Sequence, residues 1–397
     1  MVCCDYVDET FDRRIGRQMK LAIIGMGIMG CKYAKMISDG LVKGIEITAV
    51  TRISAERKME LQTVFDKGAV VFHTAEELLK SVEEKKVAVD AVLIVTPHLS
   101  HAEIAVKAMK LGLHVLCDKP SGAYSRQARQ MREEAEKHKN LVFGMMFNQR
   151  TNPVYQKIRE IVQSGMYGKM KRVSWIITDW YRPDGYYASG AWRGTWTGEG
   201  GGILLNQCPH NLDLLQWICG MPIEVQAFCN EGKYHEIAVE DEVTAYFTYE
   251  NGATGTFYST TGEASGINRL EISMEDGFLV LENGKLRVRE LKVHEADYRK
   301  NATDYFAQPE GEWKNISCEG DRPEHIGILQ NFADTVDGKT ALFVEGAEGS
   351  KSLLLANAMY LSSWKRQVVK LPENLEEEIK FEREYEEKLL EKQKYNL

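Results

Sequence analysis

The hexapeptide Gly25-Met26-Gly27-Ile28-Met29-Gly30 follows the apolar run Leu21-Ala22-Ile23-Ile24 and opens a segment of helical spacing, Ile28 to Leu41. The first glycine permits a tight turn, the second lets backbone approach a pyrophosphate, and the third lets the helix pack close on the strand. Phosphates would then sit on free N–H groups at the positive end of that helix. The motif alone is weak evidence, but here a strand precedes it and a helix follows, the context it requires. The next strand, Ile45 to Val50, should end on the residue that meets the adenosine ribose. It runs into Thr51-Arg52-Ile53-Ser54 and then Arg57, with no carboxylate at its end. Arg52, Ser54 and Arg57 together suit a 2′-phosphate, which places NADP slightly ahead of NAD; stacking of Arg52 on adenine is the alternative.

Two further segments carry polar groups at strand ends or helix starts. Thr96-Pro97-His98-Leu99-Ser100-His101 follows the strand Ala91–Val95, and Asp118-Lys119-Pro120 follows the strand His114–Cys117. Lys119 therefore stands at the carboxyl edge of the sheet, where open α/β sheets bind ligands. Later comes Gly200-Gly201-Gly202-Ile203-Leu204-Leu205-Asn206-Gln207-Cys208-Pro209-His210-Asn211-Leu212-Asp213, which puts His210 at the opening of a helix. Taken together, these motifs and the glycine hexapeptide resemble the glucose-fructose oxidoreductase/inositol dehydrogenase (Gfo/Idh/MocA) family over about residues 19–370. The resemblance implies a Rossmann domain, a second domain with an open antiparallel sheet, and redox chemistry on sugars, polyols or related compounds. It implies that Thr96, Pro97, His98, His101 and Asp118 lie near the cofactor and that Lys119 touches both nicotinamide ribose and substrate. It also implies that Asn148 reaches the carboxamide side and that Trp192 and Arg193 lean over the cofactor. His210 is the leading candidate base, with Lys119 assisting; the reverse assignment stays open. Two departures stand out. The family's Glu-Lys-Pro is Asp118-Lys119-Pro120, which keeps the carboxylate, and its later Asp is Asn206, which removes a titratable group from the substrate side. Part of the family carries Asn-Gln there, so activity is compatible with the change.

The segment from Asp179 to Trp196 is dense in rings and polar groups. Aromatic faces stack on sugar C–H faces while Arg, Asp and Tyr hydrogen-bond hydroxyls. Asp179, Arg182, Tyr186, Tyr187 and Trp192, with Asn206, are the candidate substrate contacts; a loop packed at a subunit interface is the equal alternative.

Positioning these groups is the task of the elements around them. Short apolar strands alternate with helices up to Phe147, which means βαβ units and a parallel sheet. After a helix near Pro153–Ser164 the chain turns strand-rich, with Asn251-Gly252, Asp276-Gly277 and Asn283-Gly284 marking hairpins. The expected fold is an α/β Rossmann domain with a parallel sheet, plus an α+β domain with a large, mostly antiparallel open sheet. The expected divisions are an extension over residues 1–18, a dinucleotide-binding domain over 19–150, a substrate and oligomerisation domain over 151–372, and a charged tail over 373–397 read as an exposed helix. The helix Gly346–Lys365 is expected to return to the first domain.

The 397 residues carry 50 Lys+Arg against 58 Asp+Glu, a net charge of −8 that disfavours nucleic acid or an anionic membrane as the main partner. No apolar run reaches the roughly 20 residues that span a bilayer. Arg13-Arg14 resembles a twin-arginine start, but the apolar run after it leads into the glycine turn without a cleavage site, so a cytoplasmic protein is expected. Cys3 and Cys4 adjoin each other near a terminus; the other six of the eight cysteines are scattered, and none forms a metal-ligand spacing, so no metal is expected. The expected function is NAD(P)-dependent oxidation of a secondary ring hydroxyl of a sugar or glycoside, such as that at C3, with the cofactor tightly held. The alternatives are glycoside cleavage through transient oxidation and elimination, with Tyr186 or Tyr187 as the extra base, and a non-catalytic redox sensor. Apolar alternation over Thr244–Tyr249 and Thr254–Tyr258 suggests a homo-oligomer formed across the open sheet.

Overall fold

In the computed structural model, which describes residues 18–395, the apolar run Leu21–Ile24 lies at the centre of a six-stranded parallel sheet. Its strands are β1 (Met19–Ile24), β2 (Ile45–Thr51), β3 (Val70–Phe72), β4 (Ala91–Ile94), β5 (His114–Cys117) and β6 (Phe143–Met145), in the order β3-β2-β1-β4-β5-β6. A strand buried on both faces needs continuous apolar sequence, and the four residues of β4 are all fully buried. The order reverses between β1 and β4, so the loops after those two strands diverge and leave a crevice at the carboxyl edge. Gly25, Thr96, Asp118 and Asn148 all follow strands that end on this edge. Strand β6 is shorter than the expected 141–147, and Asn148 already begins a 3-10 turn, Asn148–Thr151.

The second sheet has nine strands: β7 (Met170–Ile177), β8 (Glu224–Glu231), β9 (Glu240–Thr248), β10 (Thr254–Thr260), β11 (Asn268–Met274), β12 (Gly277–Glu282), β13 (Lys285–Leu291), β14 (Gly311–Ile316) and β15 (Val369–Lys370). Their order is β14-β13-β12-β11-β7-β10-β9-β8-β15, and all pairs are antiparallel except β7 with β10. Asn283 and Gly284 both have positive φ, 51° and 72°, as the tight β12–β13 hairpin requires. Val173, Trp175, Phe247 and Phe257 point to one face and share a core with Ile158, Leu212, Leu215, Leu355 and Met359 from three helices. In β9 the inward residues are Val243, Ala245 and Phe247. The opposite face shows Phe228 at 57% and Tyr246 at 48% exposure, so its apolar content comes from rings set among Thr, Ser and Gln.

One expectation needs an addition and another a correction. The helix Glu324–Val336 is the one that joins the Rossmann core, through Ile328, Leu329, Phe332 and Ala333. The later helix, Gly349–Lys365, does return to the first domain, where the Ser121 hydroxyl donates to the Gly349 carbonyl at 2.9 Å and Asn357 Oδ1 accepts from the Ser125 N–H and hydroxyl, while its apolar residues enter the second core. The tail is likewise not simply exposed. Its helix, Leu375–Tyr395, buries Phe381, Tyr385 and Leu389. Their four-residue spacing makes an apolar stripe that the surrounding charges hide in the sequence. Tyr385 stacks on Trp364 at 5.4 Å, and Trp364 stacks on Tyr360 at 5.6 Å. Arg129, on the helix Ser125–Lys137, grips Glu382 of the tail with Nε and Nη2, and Arg132 meets Glu378 at 2.7 Å. The acidic face thus answers a basic one. The extension over residues 1–18, with Cys3 and Cys4, lies outside the described residues except for Gln18.

A buried ion pair crosses from the end of the first sheet into the second domain. Arg150 donates to both carboxylate oxygens of Asp213, at 2.8 and 2.5 Å, and to Glu348 at 3.2 Å. Removing one partner strands a charge in a low-dielectric interior. Arg150→Met is therefore expected to cost about 3–5 kcal/mol in urea unfolding, and adding Asp213→Leu to recover most of it. Equal loss in the single and double variants would contradict this.

Candidate functional site

The glycine turn is built for close approach. Gly25 has φ +106°, and a methyl group there would stand 2.6 Å from the carbonyl oxygen of Val95. At Gly30 a methyl group would stand 2.0 Å from the carbonyl oxygen of Gly25, so both positions are closed by the protein itself. At Gly27 a methyl group would meet no protein atom within 4 Å. Gly27 is also the N-cap of the helix Ile28–Ser38 and offers no side chain to its first N–H groups, while Ile28 is 73% exposed. The helix start is thus open on the side from which an anion would come. Arg57 donates to the Met26 carbonyl at 2.9 Å, and the Ser54 hydroxyl caps the helix Ala55–Glu60. Arg52 sits at the end of β2 with φ 51° and an exposed side chain. The three expected 2′-phosphate ligands are therefore not equivalent, since Arg57 braces the glycine turn.

Around the ends of β4, β5 and β6 the polar groups interlock. His101 is fully buried, with Nδ1 2.8 Å from the Pro120 carbonyl and Nε2 2.7 Å from the Thr96 carbonyl, so it ties the two loops together. Thr96 also accepts a hydrogen bond from Ser100 at 2.7 Å, and Pro97 leads directly into this turn. His98 lies with Nδ1 3.1 Å from the Glu199 carbonyl, and burial pushes its pKa down to about 3. Asp118 accepts from its neighbour's backbone N–H at 2.8 Å and from the Tyr33 hydroxyl at 3.3 Å; burial raises its pKa. Lys119 donates to the Asn206 carbonyl at 2.8 Å. Burial lowers its pKa, and the Asp118 charge opposes that.

The second domain brings its groups through the glycine triplet. Glu240 accepts from the N–H groups of Gly202 and Leu204, both at 2.9 Å, and from the Tyr360 hydroxyl at 2.6 Å. Its burial raises the carboxyl pKa to about 8. This clamp shapes the turn that delivers Asn206 and then the helix Pro209–Cys219 with His210 in its first turn. Burial holds the His210 pKa well below its usual value, and the Lys119 charge adds to that, so the imidazole is neutral. The ring of His210 meets Phe147 edge-on at 6.2 Å. In the aromatic segment, Asp184–Ala188 is a short helix, and Tyr186 lies between two guanidinium groups, Arg193 at 4.3 Å and Arg182 at 5.0 Å from its ring. Its hydroxyl receives Arg193 at 2.6 Å and Gln207 at 3.2 Å. Trp192 stacks under Arg193 at 4.4 Å and meets the His98 ring at 6.2 Å. Tyr187 turns its hydroxyl to Thr261 at 2.9 Å, and burial pushes its pKa up to about 12. Burial raises Tyr186 as well, so both tyrosines are poor bases. Asp179 is exposed and accepts from Asn268 at 3.3 Å.

Sequence reasoning missed Tyr33, Glu199, Glu240 and His325. Glu199 is 1% exposed and accepts hydrogen bonds from the Asn206 carboxamide and from the Gly194 N–H. Its one sequence signal is a lone carboxylate between Gly198 and Gly200, immediately before the rest of the triplet. His325 lies 5.5 Å from Tyr33, and burial lowers its pKa to about 4, with Lys119 contributing. Nothing local marks it, because it arrives from a helix far along the chain. Among the described residues, no group of three or more His, Cys, Asp or Glu is placed to hold a metal ion, and no helix is long and apolar enough to cross a membrane.

Comparison with known families decides the affiliation. Residues 19–145 match the oxidoreductase family with an NAD-binding Rossmann fold, and residues 155–280 match the GFO/IDH/MocA C-terminal domain. The chain belongs to the Gfo/Idh/MocA family. Among curated relatives, the myo-inositol 2-dehydrogenase of Thermotoga maritima is 25% identical over 89% of this chain and 99% of its own length. A levoglucosan dehydrogenase of Pseudarthrobacter phenanthrenivorans is 28% identical over 55% of this chain and 63% of its own. The WlbA dehydrogenase of Bordetella pertussis, solved with NADH and UDP-GlcNAcA, has the same fold with a TM-score of 0.72 at 21% identity, covering 90% of this chain and 100% of that one. The protein is thus an NAD-binding oxidoreductase of this family.

The residues present fit a nicotinamide dinucleotide. The open cradle at Gly27 suits the pyrophosphate, and Asn148 Oδ1 and His210 Nδ1 are buried with no hydrogen-bond partner among the described residues. Unpaired buried polar atoms are costly unless a ligand satisfies them. Gly27→Ala is expected to keep the melting temperature and weaken NADH binding about tenfold, about 1.4 kcal/mol. Gly30→Ala should instead cost about 3 kcal/mol of stability. Fluorescence titration with NADH beside thermal melts separates the two; equal effects on both readouts would contradict the cradle.

Proposed function

We propose that this enzyme oxidises a secondary ring hydroxyl of a sugar, glycoside or polyol to a ketone, with Lys119 and His210 handling the proton. The observation that carries this reading is a half-buried histidine of depressed pKa, its Nδ1 without a partner among the described residues, beside a lysine held at the carboxyl edge of the dinucleotide sheet. When bound, the nicotinamide ring supplies the hydride acceptor. His210, kept uncharged, accepts the hydroxyl proton. Lys119 faces the developing alkoxide with its ammonium, and Asp118 and the Asn206 carbonyl hold that cation in place. Tyr186, Trp192 and the two flanking guanidinium groups form a wall suited to sugar C–H faces and hydroxyls. Relatives that act on inositol and levoglucosan support this substrate class.

NAD is the cofactor we favour over NADP. Arg57 spends Nη1 on the Met26 carbonyl, and Arg52, at the strand end, is in a position suited to stacking on adenine. Lower NADPH than NADH dissociation constants would overturn that choice. A second copy of the chain is proposed to cover the open face that carries Phe228 and Tyr246.

The test is turnover of inositols, levoglucosan, hexoses and aryl glycosides, with ketone measured directly, since a retained cofactor would hide free NADH. Lys119→Met is expected to cut turnover by about 10²–10⁴-fold while NADH still binds. The pH profile has a definite sign. A depressed His210 pKa keeps the base form populated as pH falls through 6.5, so the acid limb of kcat/KM lies below that value. An acid limb at or above 6.5, or its persistence in His210→Asn, would sink the assignment.

A further inference from the structure

Asn206 receives the Lys119 ammonium on its backbone carbonyl, and its side-chain carboxamide can face a ligand in either of two ways. One flip presents the oxygen, an acceptor for a hydroxyl; the other presents the NH₂ group, a donor. The surroundings choose between them. Glu199 Oε1 accepts from the Asn206 NH₂ group, and Glu199 Oε2 accepts from the Gly194 N–H at 2.8 Å. Both carboxylate oxygens are thus engaged by donors, and an ionised carboxylate has no donor of its own to satisfy a flipped amide. The carboxyl is 1% exposed; burial raises its pKa, and the two donors with the charges of Arg193 and Lys119 oppose that shift. Its backbone carbonyl meets His98 Nδ1 at 3.1 Å, so the same residue ties the turn after β4 to the second domain.

We infer that Glu199 is a positioning residue that locks the Asn206 carboxamide with its oxygen toward the substrate, making the site an acceptor for a sugar hydroxyl next to the Lys119 ammonium. This rests on the proposed oxidation of a ring hydroxyl and deepens it. The hydroxyl that donates to Asn206 Oδ1 is then recognised by its proton, and a substrate lacking a donor at that carbon is refused. The Lys119 ammonium, bound to the Asn206 backbone carbonyl, is fixed by the same residue, so orientation of substrate and of cation are coupled.

An exchange of partners tests this. In Glu199→Gln, the new side chain must keep its oxygen on the Gly194 N–H, which turns its NH₂ group to Asn206 and flips that carboxamide. In Asn206→Asp, two carboxyl groups face each other. In the double variant the amide introduced at position 199 donates to the carboxylate introduced at position 206, which again shows an oxygen to substrate. Glu199→Gln and Asn206→Asp are each expected to lose roughly 10²-fold in kcat/KM on the polyol and sugar panel, with NADH dissociation constants unchanged. The double variant should recover to within about tenfold of the parent. Losses that multiply in the double variant, or full activity in Glu199→Gln, overturn the proposal. A readout independent of turnover accompanies it, the Asn206 side-chain amide resonances, identified by their disappearance in Asn206→Asp. They should shift in Glu199→Gln; unchanged resonances overturn the pairing even if no member of the panel is oxidised, an outcome that would itself count only against the substrate reading.

Discussion

A buried ammonium must be surrounded by oxygen atoms or it gives up its proton, and the architecture at Lys119 answers that demand. Its Nζ bonds to the backbone carbonyl of Asn206, a residue 87 positions later, and Asp118 supplies the opposite charge. That single contact joins the end of β5 to the glycine-triplet turn of the second domain. The turn must therefore be rigid, and Glu240, buried with three donors on its carboxylate, makes it so. The Arg150–Asp213 pair fixes the helix carrying His210 against the end of the first sheet. Each clamp holds the same arrangement of groups at the domain boundary.

Histidine protonation follows from this arrangement. Lys119 lowers the pKa of His98, His210 and His325 alike, on top of burial. Imidazoles kept neutral in this way can accept a proton without first losing one. Of the three, His98 is engaged by the Glu199 carbonyl, whereas His210 and His325 each keep Nδ1 without a hydrogen-bond partner among the described residues, and His210 alone sits in the first turn of the helix after the glycine triplet. Geometry separates residues that the sequence shows only as histidines near motifs.

Much of this is legible in the chain because it rests on local patterns. The hexapeptide Gly25 to Gly30, the apolar strands and the Asn-Gly turns each announce themselves within a few residues, and Lys119 is located by the strand before it. What stays hidden is long-range. His325 reaches the site from a helix that no local pattern places there, and Glu240 reads as one more polar residue at the start of a strand. The charge of the tail helix suggests exposure, while Phe381, Tyr385 and Leu389 decide where it packs. Arg57 has the type and position of a phosphate ligand, and its bond to the Met26 carbonyl, which the sequence does not show, also ties it to the glycine turn. In each case a side chain's partner lies far away in sequence, and only the fold identifies it.

The central claim is that this edge of the sheet removes hydride from a carbon bearing a hydroxyl group. Isotope transfer addresses it most directly, even where cofactor never leaves the protein. The enzyme would be loaded with NAD, mixed with inositols and anhydrosugars deuterated at their ring C–H positions, and its cofactor extracted and analysed by mass and NMR. The account predicts one deuterium at C4 of the reduced nicotinamide, and none in Lys119→Met. Deuterium appearing only in water, or a cofactor unlabelled across the whole set, would contradict it.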